Sequence, residues 1–119
     1  MIPRTLLPTN EARALDLAGA TQAADAGIVS RTVLQTPEVR VVLFSFAEGQ
    51  ELTEHRSSRR AIIHVLSGTG EFEFNGTWHT LAAGTLLYLP PLHPHAVRAT
   101  RGPFTLLLTL TAEPVDPKP

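Results

Sequence analysis

The sequence predicts an all-β domain in which two antiparallel sheets face one another, as in a jelly roll or a small sandwich. Three observations carry that expectation. From Ser30 onward the chain is a series of short runs rich in Val, Leu, Ile, Phe and Thr, most of them alternating in polarity. Glycine, proline or asparagine separates each run from the next, at the spacing of turns. No stretch keeps a 3.6-residue apolar period over the length of an ordinary helix. At 119 residues the chain has the size of one domain with one core, and it shows no repeat of solenoid length.

Taken in order, residues 1–29 form an irregular N-terminal arm. Asn10 is placed to cap a short helix, yet Leu15 and Leu17, two apart, suit an extended segment equally well. The small, polar run that follows reads as loop. The arm is expected to lie across the outside of the domain, its own or that of a neighbouring copy. The β domain spans 30–111. It opens with a short strand over SRTVLQT that Pro37 ends. The next run, VRVVLFSF, puts Val42, Phe44 and Phe46 on one face and Val41, Leu43 and Ser45 on the other. Both faces are mostly apolar, as in a strand covered on two sides. After the turn AEGQE comes AIIHVLSG, then a half-buried strand in which Phe72 and Phe74 oppose Glu71 and Glu73. Asn75-Gly76 predicts a two-residue hairpin, because a type I′ turn needs positive φ at both central residues. TLLYLP follows and is broken by Pro90-Pro91; PHAVRAT begins another strand. PFTLLLTL closes the domain with Phe104, Leu106, Leu108 and Leu110 on one face. The proline-rich tail, residues 112–119, has too little apolar surface to pack and is expected to be flexible.

Composition narrows the function. A net charge of −1 and scattered arginines give no basic stripe, so nucleic acid is not an expected partner. No apolar run has the length to span a bilayer, and the N-terminus lacks the apolar core of a secretory signal. No membrane association is expected, and the expected location is cytoplasmic. Without cysteine there is no disulfide, thiolate metal site or thiol nucleophile.

Two stretches carry a more specific signal. Residues 49–68 run GQELTEHRSSRRAIIHVLSG, and residues 84–95 run GTLLYLPPLHPH. Each reads as strand, turn, strand, with histidines where the chain enters or leaves a strand. Gly49, His55 and Gly68 stand at the spacing of the first motif of the cupin superfamily, and Gly84, Pro90 and His95 at that of the second. The segment between them is similar to the hairpin that joins the two motifs. Over residues 40–110 the chain thus resembles the small single-domain RmlC-like cupins. The resemblance implies a cupin jelly roll (a double-stranded β-helix) and, for a chain of this size, a homodimer.

The resemblance also implies a divalent metal ion (Fe, Mn, Ni or Zn) held by three histidines and a carboxylate. This chain keeps His55 and His95 at ligand positions. Ser57 stands where the second histidine would be, Ala61 in place of the glutamate, Leu92 in place of the second motif's glycine and Ala99 in place of its asparagine. His93 is the candidate third ligand, since in an extended strand it shares a face with His95. His64 is turned outward if Ala61, Ile63 and Val65 face the interior, unless a bulge reverses it. Ser57, Ala61, Tyr88 and His64 are the candidate lining of a substrate pocket. Glu51 and Glu54 lie near His55 and could supply a carboxylate. His79 reads as hairpin surface and Trp78 as packing.

Two imidazoles fall short of the three protein ligands a catalytic metal normally has. One reading is therefore a metal cupin acting on a small organic molecule, its ion activating dioxygen or polarising a carbonyl oxygen. The other is a metal-free module that binds or senses a small molecule in a cup made less polar by Ser57 and Ala61. A third is a structural dimer module with a vestigial pocket. No catalytic residue is assigned on any of them.

Overall fold

The computed structural model describes residues 5–112, so the first four residues of the arm and all of the tail beyond Ala112 lie outside it. Within the described residues the chain forms one short helix, α1 (Leu17–Ala20), and nine strands. These are β1 (Ile28–Gln35), β2 (Val39–Phe46), β3 (Glu51–His55), β4 (Ala61–Ser67), β5 (Thr69–Phe74), β6 (Thr77–Ala82), β7 (Leu86–Leu89), β8 (His95–Arg98) and β9 (Phe104–Thr111). They make two antiparallel sheets: a five-stranded one in the order β1-β2-β9-β4-β7 and a four-stranded one in the order β3-β8-β5-β6. The turn spacing left a jelly roll and a small sandwich open; the arrangement is the jelly roll that the resemblance implies.

Alternation decides which residues meet between the sheets. Phe46, Ile63, Val65, Phe72, Val97, Phe104 and Leu106 form the main core, with Phe44, Phe74, Leu108 and Leu110 packed against it. Phe104 is the pivot. Its ring stacks on Phe46 at 4.7 Å and meets Phe72 edge-on at 5.9 Å, geometries that favour aromatic pairs beyond their buried area. Two glycines make room for it. A Cβ on Gly70 would come within 2.6 Å of the Phe104 ring, and one on Gly68 within 2.5 Å of the Pro103 carbonyl. Gly68 also has a φ of +73°, which favours glycine independently of the space.

The other side of the five-stranded sheet is covered over half its width. Leu6, Leu7 and Leu15 of the arm pack with Ala20 against Val33, Leu43 and Leu107. Leu6 and Leu7 donate backbone hydrogen bonds to the carbonyls of Thr32 and Val33. Arg31 fastens the helix by donating to the Ala20 carbonyl at 2.7 Å. The helix starts after Asp16, which makes no capping side-chain hydrogen bond, not after Asn10 as the sequence suggests, and spans a single turn. Among the described residues, Leu66 of β4 still packs with the arm, while the rest of the β4–β7 edge of this face carries exposed side chains. There Ile62 stands opposite Tyr88 and His64 opposite Leu86. Leu86 is 67% and Tyr88 51% exposed.

The hairpin forms as expected: Asn75 and Gly76 take φ of +55° and +81°, and Phe74 pairs with Thr77 across the turn. A second non-glycine residue with positive φ is Leu92, at +63°. It holds the position of the second motif's glycine, and its N–H donates to the Ser57 carbonyl at 2.6 Å. The turn geometry survives the substitution and the leucine bears the strain. No described helix is long and apolar enough to cross a membrane.

Candidate functional site

The site grows out of the pairing of β3 with β8. Leu52 stands opposite Val97, and His55 opposite His95, with an irregularity between Leu52 and His55. Thr53 and Glu54 on β3 thus oppose the single Ala96 on β8, which is the count of a β-bulge. The bulge has a consequence for chemistry. Residues three apart on a regular strand point to opposite faces, whereas here Leu52 and His55, both exposed, line the mouth of the same cavity. The imidazoles of His55 and His95 meet there in a T-shaped contact, with ring centroids 4.1 Å apart.

The cavity lies between the two sheets. Phe44, Phe46, Ile63, Leu106 and Leu108 line it from the five-stranded sheet; Leu52, Val97 and the two histidines line it from the other. Its volume is about 110 Å³. An apolar cavity of ~150 Å³ accepts benzene, so the space suits a molecule of about one ring. The imidazoles are its only polar side chains among the described residues.

Each ring is held by its own strand. His55 Nδ1 lies 2.9 Å from the Thr53 carbonyl, and His95 Nδ1 lies 2.9 Å from the His93 carbonyl. A carbonyl oxygen only accepts, so Nδ1 carries the hydrogen in both neutral rings, and both Nε2 atoms carry a lone pair. Among the described residues no hydrogen bond reaches either Nε2. Among the described residues no buried side-chain nitrogen or oxygen lacks a partner, so the free Nε2 of half-buried His95 is accessible, not sealed in the core. Burial pushes the His95 imidazole below its ordinary value. The nearby His55 and His93 rings act in the same direction, and the hydrogen bond to the His93 carbonyl opposes them. With both rings neutral, the pair presents two acceptors and no donor.

The other expected site residues are placed elsewhere. His93 does not join the pair. Strand β8 begins only at His95, and the turn through strained Leu92 sends the His93 ring to Asn75, whose Oδ1 accepts from Nε2 at 2.9 Å. That contact lies in a neighbouring cleft with Glu54 and Glu73. His64 and Tyr88 face outward, because the inner positions of β4 and β7 are Ala61, Ile63 and Val65, and Leu87 and Leu89. Ala61 is inside, but it is buried against the core and does not line the cavity. Ser57 belongs to the β3–β4 turn, where its Oγ accepts from the Arg59 N–H at 3.1 Å. The expected pocket lining is thus corrected to the apolar side chains above. Alternation groups Phe44 with Phe46 and Leu106 with Leu108 on shared faces and turns Ile63 inward; nothing in the sequence separates side chains that pack from those that edge a cavity.

The family's metal can be tested against this donor set. Among the described residues no group of three or more His, Asp or Glu side chains is placed to hold an ion. Two imidazoles in an otherwise apolar cup, with no carboxylate, do not make a site for a tightly held divalent metal.

A polar cluster unforeseen in the sequence stands on the opposite wall of the same sheet. Glu71 accepts from Thr100 at 2.8 Å and Arg98 at 3.0 Å, and more loosely from Thr80 and Arg101. Arg98 also lies 3.8 Å above the Trp78 ring. The Thr100 hydroxyl first, then the Arg98 guanidinium, hold the Glu71 carboxyl down at about 2.

Comparison with known proteins agrees with this architecture. No curated protein matches the chain. Among solved structures, a conserved protein of unknown function from Streptococcus pyogenes is 27% identical, with a TM-score of 0.78 over 94% of this chain and 97% of its own. A cupin superfamily protein from Desulfitobacterium hafniense is 26% identical, with a TM-score of 0.79 over 91% of this chain and 96% of its own. A cupin 2 conserved barrel domain protein from Leptotrichia buccalis is 30% identical over 82% of this chain, with a TM-score of 0.76, and the match covers 47% of its own length. The model of the cupin domain matches residues 42–110, more than half of the sequence. The chain belongs to the cupin family.

Proposed function

We propose that this protein binds a small, largely apolar organic molecule in the cup, with His55 and His95 as its polar contacts and without a resident metal ion. The observation that carries this reading is the lining: seven apolar side chains around two imidazoles whose Nε2 atoms have no partner among the described residues. Ligand pockets have this composition, mostly apolar with a few polar groups that fix orientation. Whether binding leads to chemistry depends on the ligand; a neutral imidazole is also a competent general base.

The test uses protein dialysed against chelator and titrated with toluene, a one-ring apolar probe, while methyl NMR signals are followed. Shifts at Ile63, Val97, Leu106 and Leu108, unchanged on adding Zn²⁺ or Fe²⁺, are expected. Stoichiometric metal in untagged protein, or ligand shifts that appear only with metal, would overturn the reading in favour of a metal cupin.

The exposed β4–β7 edge of the five-stranded sheet supports a homodimer, with a second copy of the chain as its occupant. The rows Ile62–Tyr88 and His64–Leu86 contain no carboxylate, lysine or arginine, so two copies can meet there without like-charge repulsion. Sedimentation should give a dimer that Leu86→Glu converts to monomer; a monomeric parent protein contradicts it.

A further inference from the structure

We propose that the cup selects neutral hydroxyl compounds, phenols above all, over isosteres that lack the hydroxyl and over carboxylate anions. The inference rests on the reading of the cup as a metal-free pocket and goes on to name its ligand class.

It follows from the hydrogen-bond inventory of the pair. Both Nδ1–H groups are occupied by carbonyls two residues back on their own strands, at 2.9 Å each. What remains is a pair of Nε2 lone pairs on rings 4.1 Å apart, set edge to face. A molecule that only accepts hydrogen bonds, such as an ether, a ketone or a carboxylate, finds no donor there and meets lone pairs. A carboxylate pays in addition for leaving water in an apolar cavity without a counter-charge. An O–H group meets an acceptor whichever ring it reaches.

The walls choose among hydroxyl compounds. Phe44 and Phe46 are at the cavity, and its volume of about 110 Å³, below the ~150 Å³ of a cavity that accepts benzene, limits an occupant to about one ring. A phenol buries that ring against apolar walls and offers a more acidic, stronger-donating hydroxyl than an aliphatic alcohol. Anchoring adds selectivity. Because each ring is tied to its strand, neither can rotate to present its N–H without giving up the carbonyl bond.

The experiment compares phenol with toluene, its methyl isostere, and with anisole and benzoate. Each is titrated by NMR at pH 7.5 into the parent protein and into the His55→Ala and His95→Ala variants. Phenol is expected to bind about tenfold tighter than toluene and anisole, the gain of one hydrogen bond, and benzoate not measurably. At least one alanine variant is expected to level phenol with toluene while still binding toluene, which shows that its cup is intact. Equal affinity for phenol, toluene and anisole in the parent overturns the hydroxyl inference and leaves the apolar-pocket reading standing. Preference for benzoate overturns it by revealing a charged pair. If no probe binds, the pocket reading itself fails and the inference fails with it.

Discussion

On the outer wall of the four-stranded sheet, Glu71 receives hydrogen bonds from Thr80, Arg98, Thr100 and Arg101, and Arg98 covers Trp78. On the inner wall of the same sheet, His55 and His95 spend one nitrogen each on a backbone carbonyl and keep the other free. Strand β8 contributes to both, Arg98 outward and His95 inward. The contrast separates two uses of polar groups. Where the chain satisfies its own charges, the cluster contributes to stability and acid response. Where it leaves acceptors open beside an apolar cavity, a ligand can satisfy them.

The largest expected effect removes the scaffold the two walls share. Phe104→Ala deletes the ring that stacks on Phe46 and meets Phe72, and should cost about 3–5 kcal/mol in chemical denaturation. A loss below about 1 kcal/mol would mean that the core is not organised around Phe104. Next comes the turn that aims His93 away from the pair. Leu92→Gly relieves a positive φ on an exposed leucine and should stabilise the fold by about 1 kcal/mol, without changing affinity for an apolar probe. Destabilisation would show that the leucine side chain contributes packing that outweighs its strain.

The smallest effect at neutral pH, and the one that best separates the walls, is electrostatic. Glu71 is held near 2 against an ordinary value of 4.5, so its contribution is complete above 4.5 and is lost as pH falls toward 2. Glu71→Gln should lower the melting temperature slightly at pH 7 and flatten the curve between pH 4.5 and 2. His95 works in a different window. Its imidazole is depressed below 6.5, so between its folded value and 6.5 the unfolded chain binds more protons, and stability falls as pH drops through that range. His95→Gln should remove that step and leave the Glu71 step in place. A single shared transition, abolished by either substitution, would mean that the two walls are coupled.

Much of this was legible in the residues. Alternation in β5 and β9 grouped the phenylalanines and leucines that share a face, β2 was read as covered on both sides, and Asn75-Gly76 placed the hairpin. Those are local signals with a period of two. The site depended on features with no such signal. That His55 faces His95 is a matter of register between strands far apart in the chain, suggested only by resemblance. That Leu52 and His55 share a face depends on a bulge. His93 was misplaced because the period-two rule was carried back into a segment that is turn, not strand. For His64 the same rule, applied within a real strand, pointed outward and the ring is exposed.

The most direct measurement is the nitrogen chemical shift of the two imidazoles, followed by ¹⁵N NMR through a pH titration and on addition of phenol. In their neutral form both rings should carry the hydrogen on Nδ1 and a pyridine-type Nε2. Phenol, unlike toluene, should shift at least one Nε2 signal in the direction of hydrogen-bond acceptance. A hydrogen on Nε2 of either neutral ring, or an Nε2 signal that phenol and toluene move alike, would contradict the account.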